Sequence, residues 1–353
     1  MSQRNPPRSS RLAALRTLVL GAALLVASGA TAQVGGQAPA GAESSGTPSI
    51  FAGSMVSLRQ QVGAPSFMKD ALPDYNPNVS TALLLAPRVR LGDRFSLSAM
   101  ITITRELTNS DWTTDDGETT LSDTFLTLGA ALWNNPKLGL GLSASAQLRL
   151  PTSKPSLQNS MIGAALFGLT ASWSKGFAPL GWQQSLSIAL IGRVGPFAHR
   201  YATGSFDSPW LEGCAELPSG CGQFSNDGAR NPVWRAQGIG AVTWGPAPKL
   251  SLSLQGGVFY DKLGEIPTAT SRSGFEVPRS GTDPDARGIV FTALYLNYSV
   301  APAVSVALGT ETAHLQLQPD STYRQPFFNQ FTTVLLAVRL FPDALVAGLR
   351  SGS

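Results

Sequence analysis

The chain has 353 residues, enough for one large domain or two ordinary ones, and only 14% of them are charged, against roughly 25% in typical soluble domains. Its basic surplus lies in Arg4, Arg8, Arg11 and Arg16; without the first 32 residues, basic and acidic residues balance at 22 each, which removes any charge-based case for nucleic-acid binding. Sparse charge with ordinary mean hydropathy suits a β-rich membrane protein, in which apolar residues are interleaved rather than run together.

Residues 1–32 read as a secretory signal. An arginine-bearing segment precedes the apolar run Leu18–Ala27, and the small-residue site "ATA" places cleavage between Ala32 and Gln33. The alternative, an N-terminal membrane anchor, has too short an apolar run for a span of ~20 residues. Residues 33–49, "QVGGQAPAGAESSGTPS", have no periodicity and read as a flexible linker. No later segment approaches 18 consecutive apolar residues, which argues against helical membrane spans.

From residue 50 to 341 the pattern predicts twelve strands, at about 50–61, 79–91, 95–107, 121–133, 138–150, 161–174, 183–194, 233–244, 250–260, 287–299, 304–316 and 330–341. The first alternates poorly. Others alternate cleanly: Leu138, Leu140, Leu142, Leu148 and Leu150 share one face of "LGLGLSASAQLRL", and Gly139, Gly141, Ser143, Ser145, Gln147 and Arg149 share the other. The connections alternate in length. Short ones are "GD" (Gly92-Asp93), "NNPK", "KGFAPLGW", "GPAPK" and "VAPA"; long ones cover 62–78, 108–120, 151–160, 195–232, 261–286 and 317–329. An up-and-down sheet puts all short turns at one end, as in bacterial outer-membrane barrels. An even strand count places both termini on the periplasmic side.

Trp133, Trp173, Trp182, Trp244, Tyr298 and Phe341 fall at strand ends beside the short turns, where amphipathic rings sit at headgroup depth. The alternative is that they plug the end of a soluble barrel. A soluble sandwich or barrel would carry lysine and glutamate on its polar face; here that face is mostly Ser, Gly, Ala and Thr with sparse arginines. The pattern therefore predicts an all-β, up-and-down antiparallel transmembrane β-barrel of about twelve strands. Residues 342–353 form a C-terminal tail.

With hydrocarbon outside, the inward positions carry function. Arg88, Arg90, Gln147, Arg149, Arg193, Arg235, Gln237, Gln255 and Glu311 lie on the small or polar parity and are the candidate lumen residues. Arg339 has an ambiguous parity. A lumen with more arginine than carboxylate favours anionic solutes; equally, these arginines can pair with Glu106, Glu311 or loop acids and brace the wall. Cys214 and Cys221, seven positions apart in "CAELPSGC", read as a disulfide in an oxidising compartment. The acidic loop "DWTTDDGETTLSD" (111–123) lacks the EF-hand spacing and reads as a solvated loop rather than a metal site. The two histidines, His199 and His314, have no serine at a suggestive local spacing, so no catalytic site is predicted. No phosphate loop is present and no cofactor is implied.

Three runs, "RLGDRFSLSAMI", "LSDTFLTLGAALW" and "LGLGLSASAQLRLPTSKPS", resemble bacterial outer-membrane proteins of the phenol-degradation meta-pathway, or transporter-like, family. Asp123, Leu126 and Leu128 fit its "D-x-x-L-x-L" strand. Arg149-Leu150-Pro151-Thr152 fits its "R-L-P-T-G" end, with Ser153 in place of glycine. The resemblance covers mainly residues 88–175. It implies an outer-membrane channel for passive or facilitated uptake of small organic solutes. The expected partners are outer-membrane lipid, a small-molecule solute and the outer-membrane assembly machinery. Outer-membrane barrels generally end in a strand with a terminal aromatic that this machinery reads; Phe341 closes such a strand, but "PDALVAGLRSGS" follows. The alternative functions are a non-conducting barrel that presents the 195–232 loop and, further off, a membrane-embedded hydrolase.

Overall fold

The computed structural model describes residues 50–68, 77–110, 117–178, 183–207, 224–265, 285–318 and 322–351. The signal and linker segments, Trp182, Cys214, Cys221 and residues 111–116 of the acidic loop lie outside the described residues.

Twelve antiparallel staves close into a barrel. They are β1 (Met55–Gly63), β2 (Val79–Ala86, continued after Pro87 as Arg88–Leu91), β3 (Phe95–Glu106), β4 (Thr124–Asn135), β5 (Leu140–Leu150) and β6 (Met161–Phe177). The second half comprises β7 (Gln184–His199), β8 (Pro232–Ala247), β9 (Leu250–Leu263), β10 (Ala286–Ala301), β11 (Val304–Leu315) and β12 (Thr332–Leu340). Each stave pairs with its sequence neighbours, and β1 pairs with both β2 and β12, so the ring has no free edge. Closure matters because a sheet can satisfy all its backbone groups only when no edge remains. Pro87 interrupts β2 because it has no N–H to donate; its carbonyl still accepts from Ala99.

The alternation of short and long connections is as the sequence predicts. The first short turn is three residues, Gly92 to Arg94, rather than the two of "GD"; Gly92 takes φ 70°, which glycine reaches without steric cost. Several strands run longer than the pattern suggests, β7 and β9 at their long-loop ends and β6, β8 and β10 at their short-turn ends. Beyond β7, Thr203–Asp207 pairs with Phe224–Arg230 as a separate two-stranded annex.

Two short α-helices stand outside the twelve predicted strands. Helix α1 (Lys154–Gln158) is capped by Ser153, whose side chain accepts from the Ser156 N–H, and has proline in its first turn. Helix α2 (Pro342–Ser351) follows β12 directly, so the C-terminal tail is helical. Phe341 is a second correction. It has the inward parity of Arg339 and is buried against Met55 and Leu84 at the short-turn end, with Ala344 of α2 alongside. It is therefore not an outward interfacial aromatic; Leu340 holds the outward position.

The outward row is largely apolar, with Gln60 and Thr81 of β1 and β2 hydrogen-bonded to each other on it. Leu97, Leu128, Leu169, Leu190, Val242, Leu254, Leu296, Leu308, Leu336 and Val338 are all exposed. Trp133, Trp244 and Tyr298 ring this band at the short-turn end, and Trp234 and Tyr260 ring it near the long-loop end. Trp244 also finds a polar partner at the rim, donating from Nε1 to Oε1 of Gln184 at 3.4 Å.

Candidate functional site

The strand registers define the lumen. Towards the short turns its wall is made of half-buried small residues, Ser143, Thr170, Ser172, Ser187 and Ala189, on β5, β6 and β7. Short hydroxyl side chains leave space and present groups that water can satisfy. Arg88 and Arg90 stand at this end on the inward parity, opposite Ser98 and Ser96. Arg88 donates to Oγ of Ser96 at 3.2 Å.

Towards the long loops the lumen wall carries charge. Arg149 of β5 meets Asp123, just ahead of β4, at 2.5 Å. The same carboxylate accepts from Oγ of Ser156 at 2.6 Å and from the Ser153 N–H at 3.0 Å. Helix α1 thus exists in part to bring its cap and first turn to Asp123. Three staves further round the ring, register places Arg235, Asp261 and Arg287 side by side on β8, β9 and β10. Arg235 grips Asp261 through two bonds, 2.5 and 2.8 Å, and Arg287 donates to it at 3.0 Å. A two-pronged guanidinium–carboxylate contact fixes both groups in one plane. The ring of Phe197 lies between the two clusters, 5.8 Å from the Arg149 guanidinium and 5.1 Å from that of Arg235. Such cation–π packing favours the charge where water is scarce.

A third cluster lies at the β12–β1 seam. Arg59 meets Glu311 at 3.4 Å, and the Tyr295 hydroxyl donates to the same carboxylate. Arg339 points inward, donates to Oδ1 of Asn297 at 2.8 Å and lies over the Tyr295 ring. Between the clusters, Gln147 donates to Oγ1 of Thr127. Arg193 packs over Gly168, where a Cβ would stand 2.6 Å from its Cγ. Gln237 sits directly opposite Arg193 in the β7–β8 ladder. The amide oxygens of Gln237 and Gln255 are buried without a hydrogen-bond partner among the described residues.

All nine candidate lumen residues fall on the inward parity, but they do not form one ring. Arg149, Arg235 and Glu311 belong to three separate ion-pair clusters. Sequence reasoning did not single out Asp261, Arg287, Arg59 or Tyr295. Asp261 and Arg287 lie at ends that had been assigned to a loop or its border, and Arg59 lies in the poorly alternating first strand. The lumen is also less polar than its serine and glycine content suggested. Ile191, Ile239, Phe259, Ile289 and Phe291 form an inward apolar cluster on β7 to β10, with Phe259 and Phe291 stacked at 5.1 Å. Their parity, opposite to Leu254 and Val258, was the available signal. Among the described residues no three His, Cys, Asp or Glu side chains gather as a metal site.

No protein-family model matches the chain, so the resemblance drawn on residues 88–175 stands on those residues alone. No curated protein matches it either. Among solved structures, the chain is similar to the NanC porin at 10% identity and a TM-score of 0.41, covering 81% of this chain and 98% of that one. It is similar to the KdgM porin at 9% identity and 0.39, covering 81% and 98%. A third is the COG4313 outer membrane channel from Pseudomonas putida F1, at 14% identity and 0.45, covering 83% and 96%.

Proposed function

We propose that the chain is an outer-membrane β-barrel channel through which small organic solutes cross passively, with a preference for anions. The observation that carries this is the division of faces: a closed ring with a largely apolar exterior encloses a lumen that carries hydroxyls, amides and arginines. An apolar exterior of this kind is stable in lipid, and a closed barrel leaves no backbone group unpaired there. In this reading the short turns and both termini face the periplasm and the long loops face outward. The serine-lined half is the vestibule, and the Arg149 and Arg235 clusters form the constriction. The inward arginines exceed what Asp123, Asp261 and Glu311 neutralise, since Asp261 serves both Arg235 and Arg287. A solute carboxylate or phosphate would meet guanidinium groups already oriented by their partners. The assembly machinery and outer-membrane lipid are the corresponding partners.

A second reading has one observation in its favour. The side chains of Gln147, Leu166, Arg193, Ile239 and Phe259 are buried within the long-loop half, which suits a plugged barrel with a structural or surface-interaction role. Proteoliposomes separate the two. A channel lets vesicles swell in iso-osmotic small organic anions faster than in matched cations of equal size. Vesicles that carry folded protein and swell in neither would favour the plugged barrel.

A further inference from the structure

Over β10 to β12 the outward face carries a polar island that the chain itself covers. Thr292, Thr312 and Thr332 stand side by side on β10, β11 and β12, in direct register with one another. Their parity is that of Leu296, Leu308 and Leu336, which are exposed. Yet Thr312, Thr332 and neighbouring His314 are almost fully buried. What buries them is the segment 322–331, which folds back over the outside of the wall. Thr292 donates to the carbonyl of Pro326 at 2.6 Å, and Thr312 to that of Phe327 at 3.1 Å. Thr312 and Thr332 also share a hydrogen bond of 2.8 Å, and Thr332 accepts from the Asn329 N–H. Phe331 packs on His314, and Arg324 lies over the Phe331 ring at 4.7 Å. The strap braces itself: Asn329 donates to the Gln325 carbonyl and accepts from the Phe331 N–H.

The strap's own outer surface is aromatic. Tyr323, Phe327 and Phe328 are exposed, Tyr323 by 75%. Along β8 the outward row runs ten residues from Trp244 to Trp234, about 33 Å of strand and ~25 Å of height at a tilt of ~40°. Along β10 it runs only six residues from Tyr298 before reaching Thr292, ~15 Å of height by the same measure. The polar island thus falls at a depth where the neighbouring wall is still inside the apolar band. An unsatisfied hydroxyl costs most in hydrocarbon, and the strap both satisfies these hydroxyls and covers them with phenyl rings.

We infer that the segment 322–331 is a lipid-contacting strap whose Phe327 and Phe328 lie against acyl chains and complete the apolar belt over β10 to β12. The inference rests on the membrane reading above. It is tested by nitroxide labels on the refolded full chain in phospholipid vesicles, with Cys214 and Cys221 replaced by serine. Labels go at Phe327 and, as a second site, Phe328, with references at outward Leu296 and at Lys249 in a short turn. The strap predicts that labels at 327 and 328 are relieved by oxygen over a water-soluble nickel chelate, as at 296 and opposite to 249. Thr292→Val with Thr312→Val should raise label mobility at 327, because both anchoring hydroxyls are lost. Labels at 327 and 328 that behave like 249 while 296 remains lipid-like would overturn the strap alone. If 296 also favours the nickel chelate, the membrane reading fails and the strap with it.

Discussion

Trp234 and Trp244 stand on the same outward face of β8, ten residues apart, each roughly half exposed, with only small or apolar residues between them on that face. Ten residues of tilted strand span ~25 Å, the height of the apolar band of an outer-membrane barrel. Two tryptophans at that separation mark both edges of the band on one stave. The band implies a measurable asymmetry between faces. Leu254→Arg places a charge on the outward row of β9, two residues inside the Trp244 edge of the band, and should weaken folding into bilayers by ~1–2 kcal/mol. Ser253→Thr, on the inward face of the same strand, should be close to neutral. Urea titration of folding into vesicles reads both; an L254R chain that folds as well as the parent would place that face in water.

The buried pair of Arg149 and Asp123 is the best-braced group in the lumen. Removing the carboxylate leaves a guanidinium, the Ser153 N–H and the Ser156 hydroxyl without their shared acceptor. Asp123→Ala should therefore cost ~3–5 kcal/mol. The double variant with Arg149→Met should recover much of that loss, since the buried charge is gone. Equilibrium unfolding of the two variants checks the order; a double variant no more stable than D123A would contradict the pairing.

Two glycines of β7 make a matched test of packing. A Cβ at Gly195 would lie 1.8 Å from the backbone oxygen of Ala165, whereas one at Gly192 would meet nothing within 4 Å. Backbone cannot swing aside as a side chain can, so Gly195→Ala must displace the β6–β7 ladder. Loss of the heat-modifiable band on gels is expected for G195A and its retention for G192A.

At the seam, Phe341 joins Met55 and Leu84 in an inward cluster. Phe341→Ala should destabilise the closed barrel by ~3–5 kcal/mol through cavity formation. Truncation after Phe341 removes only α2 and should leave membrane insertion intact. Protease protection of the inserted chain measures both, and a truncated chain that fails to insert would assign α2 a part in assembly.

The architecture was legible in the sequence because strands facing lipid on one side and a lumen on the other alternate with period two, and because loop lengths alternate with them. That logic set the twelve staves and the inward parity of Arg149, Arg193, Arg235 and Glu311. It could not show which groups meet on neighbouring strands. Arg235 finds Asp261 through register, a property of two strands rather than one. Period-two reasoning also failed where an outward residue is covered by the chain itself. Thr312 has the parity of a lipid-facing side chain, and only the fold shows 322–331 lying over it. Phe341 misled because a terminal aromatic reads as interfacial, while its parity, shared with Arg339, turns it inward. Helix α1 was missed because five residues are too few to show helical periodicity.

The most direct test of the account is the conductance of the purified, folded chain in a planar bilayer under a salt gradient. A serine-lined vestibule ending in arginine-rich clusters predicts small discrete steps, with a reversal potential on the anion side. Arg193→Glu, which reverses a charge on the lumen wall, should shift that potential towards cation preference. A folded, inserted chain that stays silent, or one that conducts with a cation preference R193E does not alter, would contradict it.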